Sequence, residues 1–204
     1  MKSVITLITC PIAVLAASIP RAAQDAPSGP FSAGAWRMPL GGTDDVFFAG
    51  TAINASGGKF YINRATSTYC PEGVTGLDCS VYSGSGTTLV TSNGTTTMSL
   101  DVTVPGGQQV YVAPDGSLSY TQAHSASMPT GSVVTGFSRE QSVAFGAPTY
   151  LYSAGQNWYL CPVTEGEPRE ITYQIFASSA APEGCLATAV RTYPPGAGNV
   201  WQYA

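Results

Sequence analysis

Met98-Ser99-Leu100-Asp101-Val102-Thr103-Val104-Pro105-Gly106-Gly107-Gln108-Gln109-Val110-Tyr111-Val112-Ala113-Pro114-Asp115-Gly116-Ser117-Leu118-Ser119-Tyr120 is the stretch that decides the fold class. Met98, Leu100, Val102 and Val104 alternate with Ser99, Asp101 and Thr103, the period of two of a half-buried strand. Pro105-Gly106-Gly107 breaks that strand. Gln108 to Ala113 then places Val110 and Val112 on one side and Tyr111 on the other. Asp115-Gly116 supplies the positive-φ residues of a tight hairpin, and Leu118 and Tyr120 continue on the return strand. Helix is disfavoured because β-branched residues and glycines dominate.

Outward from this block the same grammar repeats. Strands are expected at Asp45–Ala49, Lys59–Asn63, Val133–Ser138, Ser142–Phe145, Thr149–Tyr152, Trp158–Cys161, Thr172–Phe176 and Leu186–Arg191. Nowhere do apolar residues recur at the three-and-four spacing of a long helix. About a dozen short strands separated by turn signals define an all-β, single compact antiparallel domain. The chain divides loosely into three similar parts, 45–95, 96–140 and 141–191. A trefoil-like barrel is therefore the preferred topology, with a two-sheet β-sandwich as the alternative.

The first residues read as an export signal: Lys2, then an apolar run from Val4 to Leu15, then small residues. The run is shorter than the roughly 20 residues a membrane helix needs. Residues 1–18 are thus expected to be the signal, with the cut between 16 and 23. Residues 19–44 form a flexible lead-in with an undefined first strand, and 45–204 the secreted all-β domain. Only 10% of residues are charged, with 12 acids against 8 bases. Nothing basic is concentrated enough to follow a phosphate backbone, so no nucleic-acid partner is expected. No second apolar stretch or lipid-anchor tail is legible, so no membrane partner is expected either. Nothing in the sequence sets an oligomeric state.

Removing Cys10 with the signal leaves Cys70, Cys79, Cys161 and Cys185, an even number suited to an oxidising compartment. Three pairings are open; Cys70–Cys79 and Cys161–Cys185 are favoured because both close short loops at strand ends. The spacing does not suit a four-cysteine zinc site. Asn54-Ala55-Ser56 and Asn93-Gly94-Thr95 are sequons in expected turns, so Asn54 and Asn93 are candidate glycan acceptors. The single histidine, His124, cannot form a multi-histidine metal set, and no Gly-x-Ser-x-Gly elbow accompanies it. No phosphate-cradling loop leads into a helix, so no cofactor is expected. A glycosidase needs two carboxyls across a cleft. Glu165, Glu167 and Glu170 are clustered, but on one loop that reads as solvated. No catalytic residue is assigned. Trp36, Trp158 and Trp201 are candidate sugar-stacking rings, with Tyr111, Tyr120, Tyr150, Tyr152 and Tyr159 as further aromatics, most of them expected in the core.

The run Val104–Ser125 resembles a block in filamentous-fungal secreted proteins known as IgE-binding proteins, related to the cell wall protein phiA. Ile53–Ile62, Ser67-Thr68-Tyr69-Cys70-Pro71, Trp158-Tyr159-Leu160-Cys161-Pro162 and Trp201-Gln202-Tyr203 echo the same family. The likeness covers about residues 46–204, whereas Ser32–Asp44 departs from the pattern. The resemblance implies a secreted or wall-associated all-β protein with paired cysteines and no established catalysis, and host IgE as a partner. The expectation is a non-enzymatic wall-associated glycoprotein. The alternatives are a carbohydrate-binding module for wall glucan or chitin, a secreted effector, or a carboxylate-pair hydrolase.

Overall fold

A computed structural model of the chain describes residues 29–39, 41, 46–92, 96–141, 147–168 and 170–204. Its strands are β1 Ser32–Arg37, β2 Phe48–Ala52, β3 Asn54–Ser56, β4 Lys59–Ile62, β5 Thr68–Tyr69, β6 Leu89–Thr91, β7 Met98–Leu100, β8 Gln108–Val112, β9 Leu118–Tyr120, β10 Phe137–Gln141, β11 Thr149–Ser153, β12 Asn157–Pro162, β13 Tyr173–Ser178, β14 Leu186–Tyr193 and β15 Gln202–Tyr203. A single 3-10 turn, Cys79–Val81, is the helical element among the described residues. The fold is all-β, as the alternation predicts. The expected strand at Ser142–Phe145 lies outside the described residues, as does the export signal.

The main sheet runs β10-β11-β14-β12-β13-β4-β9-β8-β7-β6, with β1 laid between β14 and β2. Every strand pair is antiparallel, so short turns suffice for many of the connections. β14 is the corner of the molecule. Its first residues, Leu186–Thr188, pair with β12, and its later ones pair with β1 and β11. A strand that changes partners along its length carries the chain from one layer of a sandwich to the other.

The two layers share one core. Phe60, Ile62, Val110, Leu118, Leu160 and Ile175 come from one side; Ala33, Ala35, Leu151 and Val190 come from the other. Burying side chains of the larger kinds stabilises by about 1.5–3 kcal/mol each. Phe31, just before β1, exchanges two backbone hydrogen bonds with Leu89 at 2.9 and 2.8 Å. This bridge and the Phe137 N–H donating to Thr96 O at 2.9 Å join the two layers by isolated contacts, where a barrel would need a full ladder. The preferred trefoil-like barrel is therefore corrected to an open, sandwich-like arrangement. The physical reason lies in the pairing: β4 pairs with β13 and with β9, across the presumed thirds, and β14 takes β1 from outside them, so those thirds are not independent units.

The deciding stretch folds largely as its sequence dictates. Met98, Leu100 and Val104 are buried, but the ladder of β7 stops at Leu100. Beyond it, the N–H groups of Thr103 and Val104 donate to Val200 and Trp201 instead. The Pro114-Asp115-Gly116 hairpin forms with Gly116 at φ 88°. β1 falls inside the 19–44 segment, and the expected Val133–Ser138 strand shifts to Phe137–Gln141, with Val133 left as a bridge to Val112.

Candidate functional site

Five adjacent strands, β2-β1-β14-β11-β10, present an aromatic outer face. Strand alternation makes it. On β11, Tyr150 and Tyr152 point out between buried Thr149, Leu151 and Ser153. On β14, Arg191 and Tyr193 alternate with buried Val190 and Thr192. Register brings Gly34 opposite Arg191, and Arg191 opposite Tyr150. The Arg191 guanidinium lies 3.4 Å from the centre of the Trp36 ring and 5.5 Å from that of Tyr150. Phe47 meets Trp36 edge-on at 6.2 Å, and Tyr152 follows Tyr150 at 6.4 Å. The rings lie along four of these strands, β2 to β11, and three gaps at about 4.8 Å give a row about 14 Å across. Cation–π contacts of this kind add about 0.5–2 kcal/mol each and hold the row in place.

Tyr193 is laid flat on this face by two glycines. A Cβ on Gly34 would stand 2.9 Å from the Tyr193 ring, and one on Gly50 would stand 2.5 Å from its hydroxyl. The missing side chains leave the backbone as a bed for the ring, and Tyr193 as a residue stays 37% exposed. Tyr152 (45%) and Phe47 (38%) are open as well. At the Tyr152 end the row meets a polar hollow of about 480 Å³ bordered by Ser138, Glu140, Gln156 and Asn157. Burial, then the nearby Glu140 charge, raises the Tyr152 phenol above its ordinary pKa. Flat rings beside convergent hydroxyl, amide and carboxylate groups suit a polyhydroxylated ligand with apolar ring faces.

A second concavity, about 670 Å³, lies against the hairpins of β3–β4 and β8–β9. Tyr111, Ser119 and Lys59 are successive neighbours across β8, β9 and β4 and so share one face. Lys59 Nζ donates to Ser117 Oγ at 2.9 Å. Ser117 Oγ and its backbone N–H both donate to Asp115 Oδ1, at 2.7 and 2.9 Å. Burial alone would raise the Asp115 carboxyl. The Ser117 hydroxyl and N–H and the Lys59 charge outweigh it and hold the group below its usual range. Ser117 is fully buried and directs its proton at a carboxylate. It therefore works as a strut between two charges: the carboxylate is a weakened base, and the hydroxyl has no exposed surface for an incoming electrophile.

The expected site residues fall in several places. The disulfides Cys70–Cys79 and Cys161–Cys185 are formed, as favoured. Trp36 belongs to the aromatic row, with one face taken by Arg191. Trp158 is 5% exposed and donates its indole N–H to Leu151 O at 2.8 Å, so its ring serves the interior. Trp201 packs edge-on against Tyr82 at 5.4 Å, away from the row's contacts. Asn54 corrects an expectation: its sequon forms strand β3, where a turn was expected. Asn54 Nδ2 donates to Arg64 O at 2.7 Å, and Tyr61 pairs with it across the ladder. Asn93 lies outside the described residues. His124 is an exposed loop residue at φ 60°. Glu165, Glu167 and Glu170 are exposed on their loop. Sequence reasoning missed Arg191, Tyr193 and Phe47. Glycine inside a strand, here Gly34 and Gly50, was the available signal, because it marks close approach of another group.

Residues 45–204 match a family model described as PhiA-like secreted protein. An Arthroderma benhamiae protein named "Uncharacterized secreted protein" is 37% identical over 127 residues, which is 62% of this chain and 59% of that relative. The chain thus matches less than two thirds of the length of that relative. No solved structure matches.

Proposed function

Because the chain belongs to the PhiA-like secreted protein family, we propose that it is a non-enzymatic extracellular protein retained in the fungal cell wall by contact with wall polysaccharide. The aromatic face carries this reading. Tyr193, Tyr152 and Phe47 offer exposed rings on one flat sheet surface, at a width that engages several sugar units of an extended chain. Tyr193 is pre-ordered by its glycine bed, and Phe47 and Tyr152 lean on Trp36 and Tyr150, the two rings held by Arg191, so little side-chain entropy is lost on binding. The non-enzymatic part is supported by the sealed Ser117 hydroxyl and by the open placement of the Glu165–Glu170 acids. Two disulfides suit long residence outside the cell. Asn54, half-buried on a strand end, is the described candidate for an N-linked glycan. Host IgE reactivity belongs to the same proposal and describes recognition of an exposed, rigid fungal surface.

Sedimentation with insoluble β-glucan and with chitin tests the reading. The protein is expected to leave the supernatant with at least one of the two polymers and to release no soluble sugar from either. Full recovery in the supernatant with both, or steady release of reducing ends, contradicts it.

A further inference from the structure

The groove beside Lys59 has chemistry of its own. Three polar groups on its wall are incompletely used. Lys59 gives one hydrogen bond, to Ser117, which leaves two ammonium protons without a protein acceptor among the described residues. Asp115 receives both of its Ser117 bonds on Oδ1, which leaves Oδ2 open. Tyr111 is nine-tenths buried, yet its phenol oxygen has no protein partner among the described residues and is not sealed from solvent. All three residues line the same concavity. Asp115 is exposed and Lys59 half-buried, and polar groups that open into a concavity in this way are matched there by water or by a ligand that replaces it.

The sign and type of these groups narrow the ligand. Lys59 and Asp115 are coupled through Ser117, so the site carries no net charge to attract an isolated phosphate or cation. Ser119 and Thr121 add hydroxyl character, which disfavours an apolar guest. A donor, an acceptor and a phenol together match a group that can both donate and accept at adjacent atoms. Neighbouring hydroxyls of a sugar ring do this: one accepts from Lys59 while the other donates to Asp115. We propose that this groove is a saccharide site that takes a single neutral pyranose, as a free sugar or as the end of a chain, and acts separately from the aromatic face.

The inference is tested by amide chemical-shift titration of the intact folded protein with glucose, N-acetylglucosamine and their β-linked tetramers. Shifts are expected at Gly57–Lys59, Tyr111 and Asp115–Ser119 for at least one sugar. Saturation by a monosaccharide identifies a free-sugar site, and saturation by a tetramer alone identifies a chain-end site. Tyr111→Phe, which removes a single oxygen, is expected to weaken binding at least about fivefold, and Lys59→Met at least about tenfold. Tyr152→Ala is expected to leave the groove's affinity unchanged. The proposal is overturned by the absence of shifts in the groove with every sugar, by a Tyr111→Phe titration equal to wild type, or by inorganic phosphate shifting these signals where sugars do not. Because the ligands are soluble, failure here leaves retention on insoluble polymer as a separate result.

Discussion

Gln108 uses its side-chain amide three times in the interior. Its amide nitrogen donates to Thr121 O at 3.1 Å and Tyr203 O at 3.0 Å, and its oxygen accepts from the Tyr203 N–H at 2.8 Å. Gln108→Ala would orphan both backbone groups of Tyr203 in the interior. With an unsatisfied buried group costing about 1–3 kcal/mol, the loss is expected to be roughly 2–4 kcal/mol, read as a lower urea midpoint. Tyr120 makes a pH prediction. Burial pushes its phenol up to about 12, against 10 for the free group. The folded state therefore holds this proton more tightly than the unfolded chain. Stability from Tyr120 is complete below pH 10 and is lost as pH rises from 10 towards 12. Tyr120→Phe is expected to flatten that alkaline decline in a series of thermal melts. Neither role was legible beforehand. A glutamine at a strand start and a tyrosine on an alternating strand look ordinary until distant partners are placed beside them, 95 residues away for Gln108 and Tyr203.

Elements were more legible, where local chemistry alone decides them. The β8–β9 hairpin, β4, β11, β12, β13 and much of β14 fall where alternation and turn residues put them. β1 did not announce itself, because Ser32-Ala33-Gly34-Ala35 has low strand propensity. It is a strand because β14 and β2 pair with it from both sides, and its small residues make room for Tyr193. Gly34→Ala tests that reason. Its Cβ would also stand 2.9 Å from Gly50 O, a backbone atom, so overpacking is expected to cost about 1–3 kcal/mol and to lift the Tyr193 ring. Tyrosine fluorescence and a denaturation midpoint check both. The disulfides differ in reach, spanning 24 residues for Cys161–Cys185 and 9 for Cys70–Cys79. In the chain-entropy description, removing the longer link by paired Cys→Ser changes is expected to cost about 1 kcal/mol more than removing the shorter one.

At the level of the whole molecule, composition foretold the surface but not its arrangement. Low charge and many tyrosines signal a hydroxyl-rich exterior. They do not say which rings stay outside, because that depends on which strands become neighbours. The trefoil expectation rested on loose thirds, whereas the native pairing joins the first strand to the fourteenth. That single long-range pairing sets Trp36, Arg191 and Tyr193 side by side and so creates the aromatic face. The central claim is that this face holds the protein on wall polysaccharide. The direct test is a binding isotherm on insoluble wall polymer for the protein and for Tyr152→Ala/Tyr193→Ala, with matched circular dichroism and thermal midpoints confirming that both are folded. Loss of the two exposed rings, at roughly 1 kcal/mol each in aromatic contact energy, predicts affinity reduced by about tenfold or more. Equal isotherms for the two proteins would contradict the claim.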